Sequence, residues 1–404
     1  MPLLERSPVT AGQAAMRANW FWRGFLPGWL ARARDHRHGG FFDALDSAGQ
    51  PNPAAPKTVL AQARLLFTFA HLARLSGDPA HRAAALAARD FLPHLRKAPG
   101  LYRRAVASDG RPTGDPQDEA ARSYDQSFVI LALTTWAACE PAQARDALAE
   151  AETCWQALLA HLTDPATGLL LEDDATADPA APGAPPRAQN PHMHLYEAAL
   201  QAFETTGARH WLDRAARIRD LALRHFLDPD TGTITEFLTP DLRPLPGDAG
   251  LRREVGHQCE WAWLLWREAD LGGDASVRAI GDRLMGFALD HGFAPSGRMA
   301  GAAFDAVSAG GAVMERSFLL WPQTEAVKAH AARHLAGIAG ADASARELQE
   351  LIFAQWFDGH PVFVNQLDAT GATIWPEALS RLLYHIVLAL TEGARAGLWP
   401  GPAR

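Results

Sequence analysis

Two short segments of this 404-residue chain place an imidazole and a carboxylate three residues apart, His194 with Glu197 and His257 with Glu260. Residues three apart share one face of a helix, so each carboxylate can orient its ring or bind a hydroxyl beside it. One such pair is more often a buried histidine satisfied by its neighbour. Two pairs, together with a further histidine at His385, are better explained by proton transfer, because imidazole titrates near neutral pH.

The spacing of these residues is regular. The intervals are 63 residues from His194 to His257, 64 to Trp321 and 64 again to His385. In a repeat architecture equal spacing becomes equal height, so we expect these side chains to surround one end of a central cavity. The polar residues that begin or interrupt the predicted inner helices are Arg64, Tyr124, Asp125, His194, Glu197, His257, Glu260, Gln323, Glu325 and His385.

A period of about 64 residues is visible in the turns as well. The segment DPATG at 164–168 recurs as DPDTG at 228–232, and the copies continue into the strand-like runs LLLEDD and TITEFL. Looser versions of this turn occur near Gly39, Gly100, Gly292 and Gly359. Six units of this length, each with room for two helices and a hairpin, nearly fill the chain.

The segments between these turns alternate between two kinds of helix. Residues 57–75 are apolar on nearly every face, whereas residues 81–95 are Ala-rich with one polar face. The same alternation recurs at 122–138 against 141–162, and at 191–206 against 211–226. A helix that is apolar all round is buried, and an amphipathic one lies outside it, so each unit supplies one inner and one outer helix.

The sequence therefore predicts an all-α fold, an (α/α)6 barrel of six inner and six outer helices with short β-hairpins in the connections. We expect a single catalytic domain over residues 1–404, with the Pro/Ala-rich stretch 178–191 as a surface loop rather than a boundary. The alternative is an open helical solenoid. Closure is favoured because six units fill the chain and neither end resembles a polar capping repeat.

Composition excludes several classes of partner. The net charge is −8 and no run of Lys or Arg occurs, which argues against a nucleic-acid partner. The three cysteines are an odd number and show no CxxC spacing, so a disulfide framework is not expected. The lack of disulfides fits a reducing cytosol. The start of the chain lacks a signal-peptide core, and the apolar run at 128–138 is too short to cross a membrane. We expect a cytoplasmic protein without a membrane partner, and a homo-oligomer is compatible with the sequence.

No metal or cofactor is predicted. His192 and His194 lie two residues apart and would point away from each other on a helix, and no HExxH pair occurs. The glycine pairs lack the context of a phosphate-binding loop, and no GxSxG motif is present. Trp321 and Trp375 each precede a proline at the start of an inner helix, where a flat ring can stack on a sugar. Packing at the helix entry explains both tryptophans equally well.

The segments NPHMHLYEA, GHQCEWAWLL, WPQTEAVKA and WPEALSRLLYH resemble those of the N-acylglucosamine 2-epimerase superfamily. That family includes cellobiose 2-epimerases, N-acylglucosamine 2-epimerases, mannose isomerases and sulfoquinovose isomerases, and its fold is an (α/α)6 barrel. The resemblance covers all six units, and the EWAWLL and WPQTE segments are closest to the mannose isomerase branch.

The resemblance also implies roles for individual residues. His257 and His385 match the catalytic acid/base histidines, and Glu260 matches the carboxylate beside the first of them. Arg64 matches an arginine that polarises the O1/O2 region of the sugar. The residues expected to bind substrate are Arg64, Tyr124, His194, Glu260, Trp321 and Gln323. A family arginine upstream of His257 matches either Arg252 or Arg253, and the sequence leaves that choice open.

These roles suit proton transfer next to a sugar carbonyl. A histidine removes the C2 proton, and a fixed guanidinium stabilises the enediolate that forms. We expect an aldose–ketose isomerase, metal-independent, that converts unphosphorylated D-mannose, and D-lyxose as a close relative, to the ketose. No Lys/Arg cluster for a phosphate appears in the recognised motifs. The alternatives are a sugar 2-epimerase on the same scaffold, an inverting glycoside hydrolase, which needs two separated carboxylates, and a sugar-binding protein.

Overall fold

The computed structural model describes residues 8–403. Most of them are helical. In chain order the α-helices are α1 (Ala11–Trp20), α2 (Leu26–Ala33), α3 (Val59–Ser76), α4 (Pro79–Phe91), α5 (Pro116–Glu119), α6 (Ser123–Cys139), α7 (Ala144–His161), α8 (Asn190–Thr206), α9 (Arg209–Phe226), α10 (Asp248–Leu251), α11 (Val255–Asp270), α12 (Arg278–His291), α13 (Leu320–Leu335), α14 (Ala341–Ile352) and α15 (Leu383–Arg395).

Six of these helices are almost wholly buried and form the inner ring, namely α3, α6, α8, α11, α13 and α15. The outer helices are α4, α7, α9, α12 and α14, together with α1 and α2, which a π-helical turn at Phe21–Phe25 joins into one element. The ring is closed, because α15 packs against α3 and α1 packs against α14. The predicted (α/α)6 barrel is confirmed, and the open solenoid is not formed.

The strands are short and lie in the connections. Their bounds are β1 (Ala44–Leu45), β2 (Lys57–Thr58), β3 (Arg96–Lys97), β4 (Leu101–Tyr102), β5 (Ala105–Val106), β6 (Arg187–Ala188), β7 (Phe237–Leu238), β8 (Arg252–Glu254), β9 (Ala306–Ser308), β10 (Val313–Glu315), β11 (Phe318–Leu319), β12 (Gln366–Leu367), β13 (Thr373–Trp375) and β14 (Ala378–Leu379). Adjacent hairpins such as β3–β4 and β9–β10 occur, but other pairs join neighbouring units, as β6 with β7 and β1 with β14 do. The run LLLEDD contributes only isolated bridges, and TITEFL contributes β7.

Each of the two repeated turns is held by an ion pair with an arginine. Asp164 and Asp228 begin the two DPxTG turns, each closed by a glycine with positive φ. Arg187 contacts Asp164 at 2.9 Å, and Arg253 contacts Asp228 at 2.8 Å, in each case from the strand just before the next inner helix. The pairs fix the point at which the chain enters the inner ring.

A repeated glutamine holds four of the six inner helices to the preceding turn. The side-chain amides of Gln62, Gln126, Gln258 and Gln323 accept from the N–H and donate to the C=O of one turn residue, which is Phe41, Tyr102, Ile234 and Ala303 respectively. In α8 the imidazole of His192 takes this position and accepts from the N–H of Leu170.

We call this side-chain contact between an inner helix and the preceding turn the clamp. The clamp sets the height of the residues around the barrel axis. Two residues after each clamp residue come Arg64, Phe128, His194, Glu260 and Glu325. These five side chains are therefore at equivalent positions of their helices and form one layer of the barrel interior. His257 and His385 belong to the adjoining level, nearer the start of their helices.

Candidate active site

A cavity of about 280 Å³ opens at the end of the barrel where the inner helices begin. Its lining residues are Arg64, Tyr124, Asn190, His194, Glu254, His257, Glu260, Leu319, Trp321, Asn365, Trp375, Leu379, Arg381, Leu382 and His385. Seven of the eight site residues predicted from the sequence are in this set. The volume suits a ligand of monosaccharide size rather than a large one.

His385 is held between a carboxylate and a guanidinium. Its Nδ1 lies 2.7 Å from Oε1 of Glu325, and its Nε2 lies 3.2 Å from Nη1 of Arg64. A guanidinium can only donate, so Nε2 is the acceptor and Nδ1 carries the proton that is donated to Glu325. Burial lowers the pKa of His385 well below its usual value, and the charges of Arg64 and Lys328 lower it further. The ring is therefore neutral, with its lone pair at Nε2.

His257 has carboxylates for neighbours. Its Nδ1 lies 2.7 Å from Oε2 of Glu236 and 3.3 Å from Oε2 of Glu254. Burial opposes the charged ring, but the two carboxylates outweigh it and raise the pKa of His257 to about 9. At neutral pH this histidine is an imidazolium and can act as a proton donor.

Arg64 is buried, with only 3% of it exposed, and its guanidinium is held by His385, Tyr124 and Phe128. Its Nη2 donates to the hydroxyl of Tyr124 at 2.7 Å, and its guanidinium lies 4.1 Å from the ring centre of Phe128. An arginine that is held in this way can present its remaining donors to an oxyanion without rearrangement. The expected position of Arg64 next to His385 is therefore observed.

His194 is oriented by its helical neighbour. Its Nδ1 lies 3.0 Å from Oε2 of Glu197, whose other oxygen accepts from the hydroxyl of Tyr384. The expected pairing of residues three apart is observed here. The corresponding pairing of His257 with Glu260 does not form, because Glu236 takes the Nδ1 of His257 instead.

Glu260 is left with two buried oxygens that make no hydrogen bond among the described residues. Its Oε1 lies 3.6 Å from Nζ of Lys328, a fully buried ammonium that also contacts Glu325. Glu260 lines the cavity, so its free oxygens are available to the hydroxyl groups of a ligand.

Trp321 lies between the two histidines. Its ring centre is 4.9 Å from that of His257 and 6.0 Å from that of His385. The first turn of α11 approaches closely at Gly256, where a Cβ would overlap the Trp321 ring. This glycine permits the Trp321 ring to pack beside both histidines.

Gln323 is the one predicted site residue that the structure does not bring to the cavity. Its amide is occupied by backbone groups of Ala303 and Leu319, as the clamp of its unit requires.

The two arginines upstream of His257, Arg252 and Arg253, do not line the cavity. Arg252 pairs with Glu254 and Glu315, and Arg253 pairs with Asp228.

Sequence reasoning missed several residues at or beside the cavity, including Asn190 and Glu254. Glu236 comes from a loop 21 residues before His257, and no spacing rule pairs them. Glu325 is among the polar residues of the inner helices in the sequence, but its spacing gives it no role at the site. Arg381 is one helical turn before His385, a spacing that would have signalled it. Asn365 lines the cavity with its Nδ2 buried and unpartnered among the described residues.

Several carboxylates and imidazoles of this region approach closely enough to hold a cation. Three groups have ligand atoms within 4.8 Å of one another, namely His194–Glu197–Glu260, Glu236–Glu254–His257 and Glu260–Glu325–His385. The spacing argument could not detect them, because each combines residues from different elements or turns. The ammonium of Lys328 already contacts two of these carboxylates. Metal independence stays a prediction.

No helix among residues 8–403 is long and apolar enough to cross a membrane.

Comparison with known proteins gives a coherent result. The chain matches the family described as N-acylglucosamine 2-epimerase (GlcNAc 2-epimerase) over residues 40–389. It is 31% identical over 392 residues to a mannose-6-phosphate isomerase of Rhizobium meliloti (strain 1021), covering 94% of this chain and 96% of that protein. It is also 31% identical over 247 residues to a D-mannose isomerase of Thermobifida fusca, covering 58% of each.

Solved structures show the same fold. A cellobiose 2-epimerase from Bacillus thermoamylovorans B4167 superposes with a TM-score of 0.83 at 17% identity, covering 96% of this chain and all of that one. A D-mannose isomerase superposes with a TM-score of 0.79 at 20% identity, covering 94% and 99% of the two chains. At these identities the likeness establishes the architecture alone.

Proposed function

We propose a reaction from the premise that this chain belongs to the N-acylglucosamine 2-epimerase family, whose members act on sugars. The reaction is aldose–ketose isomerisation, in which D-mannose and D-fructose interconvert through an enediolate. D-Lyxose, which has the same configuration at C2 and C3, is a second candidate aldose. The relatives named as isomerases of mannose support the mannose skeleton, and their names differ in whether the sugar carries a phosphate.

The observation that carries this proposal is the pair of oppositely tuned histidines around one cavity. Neutral His385 removes the proton from C2 of the open-chain aldose with its Nε2 lone pair, which becomes free when the sugar oxygens accept the Nη1–H of Arg64 in its place. Arg64 stabilises the charge that develops on the enediolate oxygens. Protonated His257 supplies a proton to the carbonyl oxygen, which completes the enediol. The imidazolium of His385 then returns its proton to C1 while His257 takes back the proton of the C2 hydroxyl, which gives the ketose and restores both histidines.

The same asymmetry argues against the second candidate, a 2-epimerase. Epimerisation needs two bases on opposite faces of C2, and each must accept the proton in one direction of the reaction. A histidine whose pKa is raised to about 9 is a poor base at neutral pH. One shuttling histidine suffices for isomerisation, so the tuning favours the ketose product.

Incubation of the purified protein with mannose in deuterated water, followed by NMR, tests the proposal. We expect a ketose signal and partial deuteration at the carbon that receives the proton. A C2 epimer as the main product would favour the 2-epimerase. Cleavage of a disaccharide in a parallel sample would indicate a hydrolase, and binding without turnover would indicate a sugar-binding protein.

We further propose that the reaction needs no metal and that residues 1–404 act as one catalytic domain. One continuous apolar core extends from Ala14 to Trp399, which supports a single folding unit. We retain a cytoplasmic location as a proposal, on the basis of the three unpaired cysteines.

A further inference from the structure

Arg381 lines the cavity without a protein partner. It lies in the 3-10 turn Ser380–Leu382 that leads into α15. Among residues 8–403 it makes no hydrogen bond and no ion pair, whereas Arg64, the other arginine that lines the cavity, donates to Tyr124 and His385. A partly buried guanidinium without a counter-ion is costly, and such a group commonly awaits a charged ligand.

The carboxylates nearest Arg381 neutralise it poorly. Asp43 is occupied by the N–H and hydroxyl of Thr58. Burial raises the pKa of Asp43 to about 6 and that of Asp125 to about 7, so Asp125 is only partly ionised near neutral pH. The positive charge of Arg64 lies close enough to Arg381 to oppose its ionisation. An anion from outside the protein would relieve this excess of positive charge.

The position of Arg381 defines which part of a sugar it meets. It precedes His385 by four residues, which corresponds to a rise of about 6 Å along a helix. The inner helices start at the open end of the cavity, so Arg381 is nearer the mouth than the acid/base pair is. A hexose whose C2 lies at His385 would extend its C6 substituent toward this level. Asn365, with its free Nδ2, provides a second donor in the same cavity.

We propose that Arg381 binds a phosphate group at C6 of the sugar, so that the preferred substrate is mannose 6-phosphate. This inference rests on the proposed function for the placement of C2, and it departs from the neutral sugar expected from the sequence. Arginine suits this task because its planar fork of donors matches a phosphate in a bidentate arrangement.

The test compares mannose 6-phosphate with mannose in the wild type, Arg381→Met, Arg381→Lys and the control Arg209→Met, which changes an exposed arginine of α9. We expect wild-type kcat/KM to favour the phosphorylated sugar by about a hundredfold, the scale of one or two charge-assisted hydrogen bonds. Arg381→Met should abolish most of this ratio, mainly through KM, with Arg381→Lys in between and the control unchanged. Inorganic phosphate should inhibit the wild type competitively and Arg381→Met much less.

Equal or faster conversion of unphosphorylated mannose by the wild type would overturn the phosphate subsite and leave the proposed isomerase intact. Faster conversion of D-mannuronate than of the phosphate would overturn it as well, in favour of a carboxylate. If no sugar is converted, the proposed function fails. The phosphate subsite is then tested by measuring the thermal unfolding temperature with and without fructose 6-phosphate. Stabilisation of the wild type but not of Arg381→Met would support it, and no stabilisation of the wild type would overturn it.

Discussion

His257 and His385 line one cavity, yet their surroundings are opposite in charge. His257 lies between the carboxylates of Glu236 and Glu254, and its pKa is raised to about 9. His385 lies between the carboxylate of Glu325 and the guanidinium of Arg64, and burial together with the positive charges of Arg64 and Lys328 lowers its pKa. This difference supports the proposed roles of acid and base, because separated pKa values assign the proton to one of the two side chains.

Lys328 accounts for part of this difference. It is fully buried and contacts Glu325, the carboxylate that holds Nδ1 of His385. Burial and the nearby Glu260 raise the pKa of Glu325 well above its usual value, although Lys328 opposes this, so Glu325 does not raise the pKa of His385 as Glu236 raises that of His257. The comparison indicates that the surroundings of the carboxyl group, and not its contact with the ring alone, decide the state of the histidine.

The largest expected effect is the loss of either histidine. His257→Ala and His385→Ala should each lower kcat by about a hundredfold or more, the usual contribution of a general acid or base. Both side chains face the cavity, so the variants should remain folded by circular dichroism. His161→Ala, at an exposed position of α7, serves as the control.

The two histidine variants also separate the roles. His385→Ala should abolish exchange of the C2 proton with deuterated water, since no base remains. His257→Ala should slow product formation with some exchange retained. The reverse pattern would exchange the assignment of acid and base, and near-normal turnover in either variant would make that residue structural.

Arg64→Lys should have the next largest effect. A lysine keeps the charge but cannot contact Tyr124 and His385 together, as the two guanidinium nitrogens do. We expect kcat to fall by roughly tenfold to a hundredfold, as for the loss of an oxyanion donor. Tyr124→Phe, which removes only the acceptor of one nitrogen, should fall less. Full activity in the lysine variant would remove Arg64 from the chemistry.

Much of this architecture was predictable because helix periodicity is local. The inner helix expected at 122–138 is observed at Ser123–Cys139, and that expected at 191–206 at Asn190–Thr206. The same rule explains two placements at the site. His192 and His194 are two residues apart and face opposite ways, so one clamps a turn and the other lines the cavity. Gln323 belongs to the clamp and lies outside the cavity lining, so its contact with substrate stays a prediction.

The electrostatic partners were not predictable from spacing. Glu236 reaches His257 from a loop, and Lys328 reaches Glu260 from the adjacent helix. Both contacts are set by the packing of one unit against the next, which no periodicity within a segment encodes. The sequence could therefore propose the acid/base residues but not which of them carries the proton.

Glu236→Gln should shift the pH profile rather than abolish activity. If His257 acts as the acid, kcat/KM falls as pH rises through its pKa, about 9 in the wild type. The amide removes a negative charge 2.7 Å away but keeps an oxygen that can accept from Nδ1. The alkaline limb should therefore move to lower pH, while the acidic limb stays in place. Glu347→Gln, on the exposed face of α14, is the control, and an unmoved alkaline limb would contradict the acid role.

Gly256→Ala should have a smaller effect, of about tenfold on kcat/KM, by displacing Trp321 from the histidine pair. A Cβ at this position would overlap the Trp321 ring and lie 2.9 Å from Cα of Pro322. Gly286→Ala is a matched control, because it also lies in a helix but has no atom within 4 Å of the added Cβ. Equal kcat/KM values for the two variants would show that activity does not depend on the position of Trp321.

The smallest effect is expected from chelation. Exhaustive treatment with EDTA should leave turnover unchanged. The carboxylates that could bind a divalent ion already lie beside a positive charge or beside hydrogen-bond donors. Lys328 contacts Glu260 and Glu325, and a second cation there would be repelled by the ammonium at short range. The oxygens of Glu236 accept from His257, Gln189 and the N–H of Glu254. Loss of turnover that Mn²⁺ or Zn²⁺ restores would mean that a metal displaces these contacts, and the tuning of both histidines would then need to be derived from its charge.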